Sequence, residues 1–308
     1  MNSKPTQIIT LLILTTLASA QQHYKAVRIS TFPNETIGLS QKGPYVLSNT
    51  QGGTTLAALV ANSNGEFAGQ DQNYQPYTGS ASGITGIASL VESYAQIWAI
   101  NDNGTMVGYS NSPDSSAFEI SNGTVTSIPT LGGTINAAQA VSTNDLVVGQ
   151  SWKGDGLIDG FLWDGSKVVD LGNLGGSHYF ANTNRTFQSD AWGVNSSREV
   201  VGSSWLPNGQ QRAFLWKDGK MISLGTLGGT QSWATGINDH GVVLGGSTLP
   251  NGLNHAFVYE ESRRYDLDSL VSGLKGGAYI DYASQINNSG QILATGSDGQ
   301  TYLLEPID

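Results

Sequence analysis

Four histidines, 24 acidic residues and no cysteine bound the chemistry open to this chain of 308 residues. Without cysteine there is no thiolate nucleophile, no thiolate metal site and no disulfide. His23, His178, His240 and His255 lie far apart, and no pair has metal-ligand spacing. The chain has no His-Glu-x-x-His, no P-loop and no Gly-x-Ser-x-Gly elbow. Asn101-Asp102-Asn103-Gly104 starts like a calcium loop but lacks the later bidentate Glu, so it reads as a turn. Neither a metal nor a cofactor is expected. What remains is proton transfer and hydrogen bonding in an aromatic setting. Asp190 and His178 are the candidates to move a proton, and Gln139 is a candidate hydrogen-bond donor. Gln96, Trp98, Trp192, Trp233 and Tyr282 are the candidates to hold small apolar substrates. Asp190 and Asp281 could also meet across a ring as a carboxylate pair for glycoside cleavage.

These residues gain a common location from internal repeats. The phrase Ala-x-x-Ile-Asn-x-x-Gly-x-Val-Val-Gly recurs in six copies, ending at Gly69, Gly108, Gly149, Gly202, Gly245 and Ala294. A second phrase, Ala/Gly-Phe-Leu-Trp, then a turn, then Leu-Gly-x-Leu-Gly-Gly, follows most of them. The anchors Asn62, Asn101, Ser142, Asn195, Asn238 and Asn287 are spaced by 39, 41, 53, 43 and 49 residues. A period in the forties with short apolar runs and Gly-rich turns predicts an all-β chain. The expected fold is a six-bladed β-propeller of four-stranded antiparallel blades. The first strand ends in Ile-Asn, the Asn-x-x-Gly turn leads into Val-Val-Gly, and the Phe-Leu-Trp run is the third strand. Asp145 and Arg198 replace the turn glycine in two copies, which predicts a different turn there. Trp163 and Trp216, in repeated third strands, are expected in the core. The last copy stops after its third strand, Tyr302-Leu303-Leu304, so residues 24–29 are expected to supply its fourth strand and close the ring.

First strands line the central channel of a propeller, and the loops entering them share a rim with the loops between second and third strands. That rim carries the longest and most aromatic segments: the insertion beginning at Ser177-His178-Tyr179-Phe180-Ala181, and Tyr74, Tyr77, Tyr94, Trp152, Trp205 and Tyr279. Gln96, Trp98, Gln139, Asp190, Trp192, Trp233, Tyr282 and Ser284 fall at the mouths of first strands. The candidate site is therefore one composite face.

Lys4, an apolar run from Ile8 to Ala18, and Ala18-Ser19-Ala20 make a secretory signal over residues 1–20, leaving a single propeller domain at 21–308. No second apolar stretch is long enough to cross a bilayer, so the mature chain is expected to be secreted and free of membrane. A net charge of −10 argues against a nucleic-acid partner. Six N-x-Ser/Thr sequons fit a secretory route: Asn34, Asn103, Asn122, Asn184, Asn195 and Asn287. Asn103, Asn122, Asn195 and Asn287 fall in hairpins opposite the aromatic rim, and only Asn184 lies in a loop of that rim.

Leu224-Gly225-Thr226-Leu227-Gly228-Gly229 and Gly236-Ile237-Asn238-Asp239-His240-Gly241 resemble the HAF-type extracellular repeat family, over roughly residues 52–304. That resemblance implies the fold and almost nothing of function. In size, signal, sequons and lack of cysteine the chain also resembles the secreted hetero-Diels–Alderases of fungal tropolone–sesquiterpenoid pathways. This implies cofactor-free cycloaddition of a tropolone quinone methide with a humulene-type terpene. Such a reaction needs neither metal nor nucleophile, because holding two reactants in a near-attack pose can supply about 7–11 kcal/mol. No short motif defines the family, so no catalytic residue carries over from it. The alternatives are a lectin-like small-ligand or carbohydrate-binding propeller without catalysis, and a structural wall or matrix protein. Equal lectin sites would repeat in every blade, whereas here the strands repeat and the rim loops differ.

Overall fold

The computed structural model describes residues 21–29, 35–48, 50–51, 54–71, 73, 75–80, 82–91, 95–110, 116–181 and 185–307. The signal segment, Asn34, Asn184, Tyr74 and Tyr94 lie outside the described residues. Apart from one helical turn, Ala88–Val91, and one 3-10 turn, Leu267–Leu270, the regular elements are strands.

In chain order, sheet one is a hairpin of Glu35–Ser40 and Gly43–Ser48. Sheet two joins Thr50–Gln51, Thr54–Ala61, Phe67–Asp71, Pro76–Ser80 and Gly83–Gly86. Sheet three joins Ala95–Ile100, Met106–Ser110, Ser116–Ser121 and Thr124–Ser127. Sheet four joins Gly132–Val141, Val147–Lys153, Leu157–Trp163 and Val168–Asp170, with an added hairpin of His178–Phe180 and Arg185–Phe187. Sheet five joins Ser189–Val194, Val200–Trp205, Gln211–Lys217 and Lys220–Gly225. Sheet six joins Ser232–Ile237, Val243–Thr248, Asn254–Glu260 and Arg263–Asp266. Sheet seven runs from Ile280–Ile286 through Ile292–Gly296 and Thr301–Ile307 to the amino-terminal strand His23–Ile29, with Val271–Ser272 parallel to it at the edge. Tyr24 faces Pro306 and Ile29 faces Thr301 in that last antiparallel pair.

Neighbouring sheets meet face to face, and the core lies between them. Val148 and Leu162 of sheet four pack with Ala191, Val200 and Phe214 of sheet five, and Val201 and Ala213 pack with Val243 and Phe257 of sheet six. The phenylalanines of the Phe-Leu-Trp phrase, Phe161 and Phe214, are fully buried, as is Phe257 in the degenerate copy; Trp163 and Trp216 are buried beside them. Second strands are covered on both faces, which explains their unbroken apolar Val-Val phrase.

The repeated asparagine is a strap between sheets. Asn238 accepts from the N–H groups of His240 and Val242 at 3.1 and 3.0 Å, closing its own turn, and its Nδ2 donates to the Asn287 carbonyl at 3.1 Å. Asn62 reaches the Asn101 carbonyl, Asn101 that of Ser142, and Asn195 that of Asn238. Asn287 donates to the Ser40 carbonyl at 3.1 Å. That bond identifies sheet one: its Leu39 N–H also donates to Gln285, and its Tyr45 hydroxyl accepts from the Ala61 N–H of sheet two. A count of six repeats misses this sector, because Ser40 stands where Asn is expected and only 22 residues separate it from Asn62. First-strand ends of all seven sheets, with the turns that follow most of them, line a polar central cavity of about 280 Å³.

The turns at Asp145 and Arg198 are also not what the sequence suggests. Both residues adopt φ 63°, the left-handed conformation of the glycines they replace. Their N–H groups donate to Ser142 and Asn195 as Gly241 donates to Asn238, so the same turn is kept with non-glycine residues in it.

A β-bulge recurs in the first strands of sheets three to seven. The register jumps over Trp98, Gln139, Trp192, Thr235 and Ser284 in turn. In sheets three to six the bulge goes with the glycine of Val-Val-Gly, while Ala294 stands at that position in sheet seven. A Cβ at Gly108, Gly149, Gly202 or Gly245 would run into the carbonyl oxygen of Gln96, Ala137, Asp190 or Trp233 respectively. Bulges re-aim side chains, and here the re-aimed residues sit at the channel mouth.

Candidate functional site

Sheet five supplies the centre of the site. Asp190 pairs with Ser203 and Ala191 with Gly202, Trp192 is skipped, and Gly193 meets Val201. Asp190 and Trp192, two apart on one strand, both face a cavity of about 450 Å³. Trp205 of sheet five, Trp233 and Thr235 of sheet six, and Tyr282 of sheet seven also line it. Its size and largely apolar lining suit a small organic ligand.

The remaining wall comes from the insertion hairpin. Arg185–Phe187 runs parallel to the start of the third strand of sheet four, with Ile158 facing Phe187. The Gly176 N–H donates to the Trp205 carbonyl at 2.9 Å, tying the loop to the next sheet. Phe180 meets Phe187 edge-on at 5.4 Å and Trp205 edge-on at 5.8 Å between ring centres. His178 stacks on Trp205 at 5.9 Å, with 13° between the planes. Such contacts fix the angle of the indole as well as bury it.

Asp190 is the one carboxyl among the described residues that line this cavity. It is 8% exposed, and Gln139 Nε2 from sheet four donates to its Oδ1 at 3.3 Å. Burial raises its pKa to about 8, against the opposing effects of the Ala191 N–H and Gln139. Near neutral pH the carboxyl is therefore mostly protonated and able to donate a hydrogen bond. Burial also raises the pKa of the Tyr282 hydroxyl, which stays neutral.

A second cavity, of about 270 Å³, lies alongside. Trp98, Tyr109, Gln139, Gln150 and Trp152 line it, and it shares Arg185 and Trp192 with the first. The carboxamide oxygens of Gln139 and Gln150 are buried without a hydrogen-bond partner among the described residues.

The structure thus gathers Asp190, Trp192, Trp233 and Tyr282 at one cavity, with Gln139 touching Asp190 from the next sheet. Trp98 belongs to the second cavity and is 49% exposed. His178 supports Trp205 from behind and does not line the cavity, so the position expected for a proton carrier is not the one it holds. Gln96 accepts from the Tyr109 hydroxyl at 3.0 Å and lines neither cavity. Asp281 does not line the cavity at Asp190, so no carboxylate pair forms there. Arg185, Phe187 and Thr235 were not among the candidates. Thr235 was legible as the bulge position of its repeat, but Arg185 and Phe187 sit in an insertion that no other copy shares. Among the described residues no cluster of three or more His, Asp or Glu side chains could hold a metal.

The sequons divide sharply. Asn195 and Asn287 are buried straps whose Nδ2 groups bind Glu199 and Asn238, and Gln291 and Ser40. A glycan on either would have to break its turn. Asn122 is exposed in its hairpin, and Asn103 is exposed with its Nδ2 donating to the Thr143 carbonyl at 3.0 Å. Glycopeptide mapping of protein from a eukaryotic secretory host should find Asn195 and Asn287 bare and Asn122 occupied. A folded, glycosylated Asn195 would show that the strap is dispensable.

No family model and no curated protein matches the chain. Its solved neighbours are propellers. The β-propeller domain of the Trilobed protease from Pyrococcus furiosus is 8% identical, covers 91% of this chain and 93% of its own, and superposes with a TM-score of 0.54. TolB from Acinetobacter baumannii is 14% identical with a TM-score of 0.46; the match covers 79% of this chain and 64% of TolB, so the chain spans less than two thirds of that protein. Streptogramin B lyase is 10% identical, with a TM-score of 0.43 over 93% of each chain. At such identities the likeness concerns the fold alone: the chain is a β-propeller.

Proposed function

We propose that this propeller is a cofactor-free enzyme that binds small apolar substrates in the cavity at Asp190. The reaction we assign is an intermolecular hetero-Diels–Alder cycloaddition of a tropolone quinone methide with a humulene-type terpene. The observation that carries the reading is a buried carboxyl, protonated near neutrality, inside an aromatic cavity of about 450 Å³. In the reaction a C–C and a C–O bond form together, no atom leaves and no electrons are supplied. Negative charge builds on the quinone-methide oxygen as its ring regains conjugation. A neutral Asp190 donating to that oxygen stabilises the developing charge, and Gln139 holds the carboxyl in place. Trp192, Trp205, Trp233 and Phe180 exclude water and hold the hydrocarbon partner. The reading also takes the molecule as a seven-sector ring closed at His23–Ile29, with HAF-type repeats, secreted after loss of residues 1–20.

The test is incubation with a quinone methide generated in situ and humulene, with chiral chromatography of the adduct. One enantiomer in excess, lost with Trp192→Ala, supports the reading. A racemic adduct at the uncatalysed rate overturns it. The half-exposed faces of Trp98 and Trp192 favour a second reading, stacking of sugar rings. Oligosaccharide binding on a glycan array without turnover would establish that one instead.

A further inference from the structure

The cavity is bordered by an exposed cation, Arg185, which forms no ion pair among the described residues. Arg185 lies on the insertion hairpin, with its guanidinium 4.8 Å from the centre of the Trp152 ring. It borders both cavities, and Trp192 is the other residue they share. Ion pairs among the described residues use Lys153, Arg198, Lys217 and His255, and none uses Arg185. The one carboxyl lining the larger cavity, Asp190, forms no ion pair with Arg185, and burial shifts it toward its neutral form. The Trp152 ring engages the face of the guanidinium, and the hydrogen bonds of a guanidinium are made at its N–H edges instead. The chain as a whole carries −10, so a cation at an aromatic cavity mouth runs against the bulk charge. A guanidinium presents paired donors suited to an ionised oxygen or carboxylate.

We infer that Arg185 is the anion-recognising residue of this site, and that its ligand is an organic anion: an apolar ring body bearing one ionised oxygen, as a carboxylate or an acidic enolate. The inference rests on the cavity reading above and narrows it. One ligand is acidic, with its charged oxygen at Arg185 between the two cavities and its hydrocarbon body among Phe180, Trp205 and Trp233. A purely hydrocarbon partner gains nothing from Arg185 and needs only the aromatic walls.

Two dyes of one skeleton separate these contributions. Anilinonaphthalene sulfonate carries an anionic group, and N-phenylnaphthylamine lacks it. Titration of the purified protein at neutral pH, read by dye fluorescence, should show tighter binding of the sulfonate, and each dye should displace the other. Arg185→Met should weaken the sulfonate about tenfold and leave the neutral dye within about twofold, because only a charge-assisted hydrogen bond is removed. Arg185→Lys should keep most of the preference, and a thermal melt of each variant confirms its fold. Equal binding of both dyes by the unaltered protein, or equal weakening of both by Arg185→Met, overturns the anion assignment and leaves the cavity reading standing. Failure of both dyes to bind overturns the cavity reading, and this inference with it.

Discussion

Asp190→Asn should melt well above the unaltered protein at pH 8 and together with it at pH 3. The carboxyl has a pKa of about 8 when folded and 3.8 as a model value for the unfolded chain. Below pH 3.8 both states are protonated and the residue contributes nothing to the pH dependence. Between the two values the unfolded chain releases its proton while the folded one keeps it. The folded state then binds more protons, and stability falls as pH rises. Above the folded value both states are ionised and the loss is complete. Each pKa unit corresponds to about 1.4 kcal/mol, so the loss amounts to several kcal/mol at alkaline pH. For a domain this size that is on the order of 10 °C in melting temperature. Asparagine has no such titration, and its Nδ2 can still hydrogen-bond within the cavity. On the proposed function, turnover by the unaltered protein should fall above pH 8 as the acid ionises, while any residual activity of Asp190→Asn should be flat with pH. Parallel stability curves from pH 3 to 9 would show that Asp190 is not held neutral by burial.

Gly202→Ala should be the most disruptive single methyl group added to the site. Its Cβ would overlap the carbonyl oxygen of Asp190. Backbone cannot rotate away as a flexible side chain can, so the bulge carrying Asp190 and Trp192 must shift. Overpacking of this kind costs about 1–3 kcal/mol, occasionally more, and the displaced residues include two that line the cavity. Urea denaturation should record the stability loss, and dye binding should weaken by more than the stability loss alone explains. The last repeat supplies the control, since it carries Ala294 at the equivalent position, paired with Ala283. Ala294→Gly should cost no more than about 1 kcal/mol, the ordinary penalty of glycine in a strand. If Gly202→Ala stays within about 0.5 kcal/mol of the unaltered protein, steric exclusion by the bulge carbonyl is not why the glycine is there.

The repeats made most of the architecture readable before any coordinates. Ile-Asn followed by a turn marked the first strands, Val-Val-Gly the second and Phe-Leu-Trp the third, because each is a local pattern set by backbone geometry and by burial on one or both faces. Trp163 and Trp216 were legible as core for the same reason, and Asp190, Trp192, Trp233 and Tyr282 as neighbours of one channel mouth. The turn rule failed at Asp145 and Arg198, which take the left-handed conformation while their side chains bond Asn101 and Asp164. The hairpin of Glu35–Ser48 escaped notice because Ser40 presents a backbone carbonyl to Asn287, and a backbone group leaves no mark in the residue types.

What only the tertiary structure decided is the site's chemistry. Asp190 is an acid near neutral pH because sheets four and five enclose it, and its identity as Asp would by itself mean a carboxylate. His178 became a prop for Trp205 because the insertion hairpin folds against the neighbouring sheet. Arg185 and Phe187 entered the site by the same docking. Strands and turns follow from interactions a few residues apart, which a repeating sequence displays. The cavity depends on contacts between sheets and on one unrepeated loop, so its members and their protonation are settled only when the sheets pack together.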